Sequence, residues 1–364
     1  MKRKWSLRLG AAVLCAVLLG SCGGTAAAPA ESTAPADPLT GQQLLYPEQR
    51  GAAVVIKNDT DSTTQWGIGS ASVVLEAAAR ADTAPSLCLV YPSVSAMPTV
   101  GPVTLGQDLF WRLLSGQQVL PIQRGCDLYT RNFLDYWNLR AVDALETGRN
   151  AFTTGNTDWA SPLWCTNGQS VAKVLSSLSL SSALSEDPAG SAEDSTQEGD
   201  TPAVPTVPAL LPQQTDGHLP DADAADAVQA AVQFPSGSTT RFAYDTDTGT
   251  YGMLHNGGTP QLDANPGTQA AFDNLLVLYS ASTPRDDGRT LDYDLTMGGG
   301  LWLNGGHLWH ITWTQGTGST FAFYDADGRP LRILSGRSYI AWLSSLTGEE
   351  VTVQDSAGND LLQP

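Results

Sequence analysis

The chain has 364 residues, 37 of them acidic and 19 basic, and a net charge of −18 at pH 7. That balance excludes nucleic acid and anionic lipid headgroups as electrostatic partners. Five cysteines with no CxxC pair and no Cys/His cluster exclude a structural zinc site.

The N-terminus opens on Met1, Lys2, Arg3 and Lys4, with Arg8 close behind. An apolar run from Leu9 to Leu19 follows. A bilayer span needs ~20 apolar residues, so the run is too short to cross and reads as a secretory signal. It ends in Leu19-Gly20-Ser21-Cys22, which resembles the lipobox of bacterial lipoproteins. That resemblance implies a cut before Cys22, acylation of its thiol, and attachment to the extracytoplasmic face of the cell membrane. The signal, residues 1–21, takes four of the 19 basic residues with it. The remainder holds 15 basic against 37 acidic residues, a net charge of −22. Residues 22–43, rich in Ala, Pro, Thr and Ser, read as a flexible tether. Cys88, Cys126 and Cys165 remain after the anchor, an odd count that permits at most one disulfide. Cys88 in "SLCLVY" reads as a buried, inert thiol. A Cys126–Cys165 bridge stays open.

Residues 44–176 alternate in type. "AAVVIKN" and "SLCLVY" read as strands. "SASVVLEAAARA" favours a helix through its Ala content behind a Ser70 cap, although Val73 and Val74 also suit a strand. "GQDLFWRLLSGQ" pairs Leu109 with Leu113 and Phe110 with Leu114 at helical spacing. "QVLPI" reads as a short strand, and "DLYTRNFLDYWNL" and "GQSVAKVLS" as helices. Alternating strand and helix argues for α/β layers. Residues 177–227 hold ten acidic side chains, no Lys or Arg, and repeated Pro, the composition of a disordered acidic linker. Residues 228–347 change to short strands broken by turns, among them "RFAYDTDTGTYGML", "NLLVLYSAS", "GLWLNGGHLWHITWTQ" and "SYIAWL". "DADG" reads as a hairpin turn, since it lacks the further ligands of an EF-hand. Residues 348–364 read as a tail. The expected class is α+β: an N-terminal α/β layered domain plus a C-terminal mainly antiparallel β domain.

The run "AAVVIKNDTDSTTQWGIGSASVVLEA" resembles the opening of the YerB-like lipoproteins, an envelope family. Asn58, Gln65, Gly67, Ala71, Val74 and Glu76 match its pattern without a gap. "VGPV" at Val100–Val103 resembles the next block, and "GGGLWLNGGHLWHITW" with "FYDADGRPLRILSGRSYIAWL" the second domain. The resemblance spans Gly51 to Leu343, interrupted by the acidic segment. Lys57-Asn58 stands for the family's Asp-Asn and Thr63-Thr64 for its Arg-Pro. Arg80–Pro85 and Thr104–Gln107 replace further arginines and acids. Arginine clamps carboxylate or phosphate at two points. Their loss implies weak binding of such anions at that cleft. The resemblance and the strand ends together place the candidate cleft at Asn58, Gln65, Glu76 and the Gly101-Pro102 turn.

Ser170-Val171-Ala172-Lys173 has the S-x-x-K spacing of penicillin-recognising enzymes, in which Lys lies one turn from a nucleophilic Ser. No K-T-G accompanies it: the nearest strings are Glu146-Thr147-Gly148 and Leu346-Thr347-Gly348. An ordinary helix start explains it better. His307 and His310, three apart on a strand, face opposite sides and make a poor metal pair. Glu76 with Asp82 or Asp108 has the residue types of a glycosidase pair. Trp309, Ile311 and Trp313 alternate with His310, Thr312 and Thr314, the pattern of one buried face. The reading is therefore a lipid-anchored protein with a binding or interaction role, whose partner is an envelope protein or a cell-wall ligand. No cofactor and no metal is expected. The alternatives are a serine hydrolase or acyltransferase using Ser170 and Lys173, or a solute-binding lipoprotein with a hinged cleft between similar lobes.

Overall fold

The structure is a computed structural model. It describes residues 35–362 apart from 59–64, 155–162, 186–206, 208, 217–218, 221–224, 256–257 and 317–319. The signal and Cys22 lie outside the described residues. The first half carries β1 (Ala52–Lys57), β2 (Val73–Ala77), β3 (Ser86–Tyr91), α1 (Asp108–Leu113), β4 (Leu120–Gln123), α2 (Leu128–Tyr136), β5 (Val142–Asp143), α3 (Ala144–Thr147) and α4 (Gly168–Leu175). The second half carries β6 (Ala225–Asp226), β7 (Gln229–Gln233), β8 (Thr239–Asp245), β9 (Thr250–His255), β10 (Asn274–Ser280), β11 (Met297–Asn304) and β12 (His307–Gln315). It ends with β13 (Phe321–Tyr324), β14 (Pro330–Leu331), β15 (Ser338–Ser344) and β16 (Glu350–Gln354).

The class is α+β, with a mixed first half and a β-rich second half. The two halves nevertheless share one twelve-stranded sheet, in the order β14-β13-β12-β11-β10-β15-β2-β3-β1-β4-β5, with β6 beside β12. The join is β15. It runs parallel to β10 on one side and parallel to β2 on the other, so Ile340 sits opposite both Leu276 and Leu75. Contacts accordingly gather Pro35–Pro364 into one compact unit. A smaller sheet, built on β9-β8-β7-β16, packs against this one.

All five residues of β2 and all seven of β15 are buried. Val74 and Tyr339 point with Val54 and Leu89 toward Phe242 and Phe272 of the smaller sheet's layer. Leu75, Ile340 and Trp342 point with Trp302 and Trp313 toward Phe110 and Trp111 of α1. Both faces are covered, so the strands read as continuous apolar runs without alternation. That explains why "SVVLEA" forms β2 rather than the expected helix. Each large side chain buried here contributes about 1.5–3 kcal/mol.

Three expected boundaries change. The segment read as a linker is partly integrated: Leu210 and Leu211 are buried, and Gln213–Gln214 runs parallel to Ile333–Leu334. Its two leucines supply the apolar surface that its acidic flanks lack. The expected tail contains β16, which pairs with β7 from Gln233↔Glu350 to Gln229↔Gln354. The end of the expected tether is docked. Asp37 is buried and accepts hydrogen bonds from Thr40 Oγ1 at 2.7 Å and Ser72 Oγ at 2.8 Å.

Candidate functional site

Asn58 follows the last residue of β1, and Glu76 lies on the adjacent stretch of β2, one strand away across β3. The structure brings them into contact. Asn58 Nδ2 donates to Glu76 Oε1. Gln65 Nε2 donates to Asn58 Oδ1 at 3.2 Å and to the Lys57 carbonyl at 2.8 Å. The second half completes the cluster: Thr240 Oγ1 of β8 donates to Glu76 Oε1 at 2.9 Å, and the Tyr339 hydroxyl of β15 donates to Glu76 Oε2. Burial pushes the Glu76 carboxyl from its ordinary value up to about 7, against the pull of the Tyr339, Thr240 and Asn58 donors. Burial also holds the Tyr339 hydroxyl well above its usual range, with the Glu76 charge adding to the rise.

Three of the expected cleft residues therefore converge, but in the interior. Glu76 and Gln65 are fully buried and Asn58 is 2% exposed. Gln65 Oε1 has no partner among the described residues. Gly101-Pro102, a cis peptide, lies beside the cluster as a brace. Gly101 exchanges backbone hydrogen bonds with Trp66, and the Pro102 carbonyl accepts from Lys57 N at 2.9 Å. A Cβ at Gly101 would stand 2.7 Å from Cys165 Sγ and 2.8 Å from the Trp164 carbonyl oxygen. Only glycine permits that approach. A buried carboxyl with three donors, from Asn58 just after β1 and from β8 and β15, ties the layers of the fold together. Sequence reasoning missed Thr240 and Tyr339, because nothing local marks a partner 164 or 263 residues away.

The other sequence candidates fall on ordinary structure. Asn167 caps α4 by accepting from Ser170 N at 2.8 Å, and Lys173 is exposed. No hydrogen bond joins Ser170 to Lys173 among the described residues. His310 and Thr312 are exposed, while Trp309, Ile311 and Trp313 are buried, and Trp309 stacks on Trp302 at 4.8 Å. His307 Nδ1 stands 3.5 Å from Asp226 Oδ1. In "DADG" the Asp325 carboxylate accepts from Asp327 N and Arg329 N, closing the turn. Glu76 and Asp82 end up in different settings, one interior, the other paired with Arg80 at 2.8 Å. Asp108 is buried against Arg285 at 2.6 Å. Cys88, Cys126 and Cys165 are free thiols.

Two cavities lie elsewhere. One, of about 340 Å³, is apolar and is bounded by the docked arm at Pro35–Leu39, by Leu114 and Val119, and by Leu210. The other, of about 590 Å³, opens between α2 and α3 beyond Gln123 and Asp143, the last residues of β4 and β5.

Fold and interior cluster define a single α+β body built from two dissimilar halves joined by one sheet. The family described as "Protein of unknown function (DUF3048)" matches with its N-terminal domain over residues 39–181 and its C-terminal domain over residues 230–340. The Bacillus subtilis (strain 168) protein named "Putative lipoprotein YerB" is 25% identical over 359 residues, which cover 96% of this chain and 98% of that protein. The crystal structure of the YerB protein from Bacillus subtilis aligns with a TM-score of 0.70 at 18% identity, covering 87% of this chain and 99% of that one. The chain belongs to the YerB-like lipoprotein family.

Proposed function

We propose that this protein is anchored through lipid on Cys22 to the outer face of the cell membrane and acts there as a binding or interaction module. The observation that carries the reading is Leu19-Gly20-Ser21-Cys22 at the end of a short apolar run. The relative's name, which calls it a lipoprotein, supports the same reading. The docked arm supplies a physical consequence. The folded body begins by Pro35, thirteen residues after Cys22, so the leash spans at most about 45 Å. A body so tethered meets partners close to the membrane.

The continuous sheet weighs against a solute-binding protein with a hinge, because β15 hydrogen-bonds to both halves along its length. The capped start of α4 gives no support to an acyltransferase at Ser170 and Lys173. The test is metabolic labelling with an alkyne-bearing palmitate. Native protein is expected to take the label and sediment with membranes. Cys22→Ala is expected to lose the label and appear in the soluble fraction. An unlabelled native protein in the soluble fraction would refute the anchor.

A further inference from the structure

The cavity between α2 and α3 has a composition that selects its ligand. It lies beyond the carboxyl ends of β4 and β5, which run parallel to each other and to β1. That is where open α/β sheets gather ligands, because the loops after parallel strands converge there. Its volume, about 590 Å³, falls within the range of small-molecule sites.

Most of its polar groups are already committed. Asp143 Oδ1 accepts from Gly125 N and Leu145 N, each at 2.8 Å, and Oδ2 accepts from Gln123 Nε2 at 3.0 Å. These bonds fix the two loops that form the walls. Arg140 pairs with Glu146 at 2.7 Å. Two charges on α2 also line the cavity: Arg131, which reaches the Cys126 thiol, and Asp135. Their i,i+4 spacing would suit an ion pair with each other. They do not form one, and neither has an ionic partner among the described residues. Leu134, Leu139 and Ala141 supply an apolar wall beside them.

We propose that this cavity binds a small zwitterion: a dipeptide with both ends free. The Arg131 guanidinium takes the carboxylate at two points. Asp135, one turn along, takes the ammonium. Side chains four apart on a helix start 5–6 Å apart, a separation that matches the two ends of an extended dipeptide. The apolar wall receives a small side chain. A simple anion is disfavoured by Asp135, Asp143 and Glu146 around the same opening, and by the net charge of −18. A simple cation is disfavoured by Arg131. This site is distinct from the interior cluster around Glu76, and it owes nothing to the lipid anchor.

Calorimetric titration of the full chain with L-alanyl-L-alanine tests the proposal, with the N-acetylated and the C-amidated dipeptides as companions. The free dipeptide is expected to bind saturably. Blocking either end is expected to weaken binding by at least about tenfold, the worth of one charge-assisted hydrogen bond. Arg131→Gln should abolish sensitivity to amidation and leave sensitivity to acetylation; Asp135→Asn should do the reverse, and Arg131→Lys should retain most of both. Both side chains are exposed, so thermal melting should be unchanged in all three. Absence of saturable heat, equal affinity for the blocked dipeptides, or indifference to both variants would overturn it. Cys22→Ala should bind as the native chain does, which separates this result from the fate of the anchor.

Discussion

Glu76 has an ordinary carboxyl value of 4.5 that burial raises to about 7. Below pH 4.5 both folded and unfolded chains hold this proton, and the group's contribution to stability is complete. Between 4.5 and 7 the unfolded chain releases the proton while the folded chain keeps it, so stability falls as pH rises. Above 7 the loss is complete, about 3 kcal/mol. Urea unfolding of the native chain is expected to show about 2–3 kcal/mol less stability at pH 8 than at pH 5 from this group alone. Glu76→Gln, which cannot ionise, should remove that share of the slope. A variant with the native slope would show that the carboxyl titrates normally. Gly101 makes a steric demand instead. Gly101→Ala places a methyl 2.7 Å from Cys165 Sγ and 2.8 Å from a carbonyl oxygen. It should cost about 1–3 kcal/mol, the range for overpacking, visible as a lower unfolding midpoint at every pH.

At the scale of elements, patterning told much and missed in one direction. The helices α1, α2 and α4 announce themselves by apolar residues three and four apart. The strand β12 does so by its alternation of Trp309, Ile311 and Trp313 with His310 and Thr312. The element misread was β2, whose alanines favour helix but whose Val73, Val74 and Leu75 lie between β3 and β15. Propensity is worth tenths of a kcal/mol per residue, and burial on both faces outweighs it. Patterning did not group Asn58, Gln65 and Glu76; the family resemblance and their places near strand ends did, and their burial, which involves Thr240 and Tyr339, has no local signal. Arg337, just before β15, is another silent joint. Its guanidinium donates to the carbonyls of Ile68, Ala71 and Ala271, binding the turn before β2 to the second half. Arg337→Met leaves those oxygens without that donor. It should cost about 3 kcal/mol, measured by chemical denaturation. A loss below about 1 kcal/mol would mean that water replaces the guanidinium.

Across the whole molecule, composition suggested two domains and a linker, and one hydrogen-bonded sheet runs through both. The acidic stretch hides the union because residues far apart in sequence, β2 and β15, pair across it. Fragments 35–185 and 207–364 should therefore fail to fold separately. The first would expose β2, the second β15, each as an open edge of apolar strand. Neither is expected to unfold cooperatively alone by circular dichroism, and the mixture should recover a single transition. Cooperative melting of either fragment by itself would contradict this.

The placement of β15 also dictates a schedule. It is the middle of the large sheet but is synthesised near the end of the chain. Strands β2 and β10, paired on their outer edges with β3 and β11, each keep one edge open until residue 344 has been made. Any premature stop before that point leaves a sticky, half-made sheet for quality-control proteases, so nonsense alleles ending upstream should yield no accumulated product.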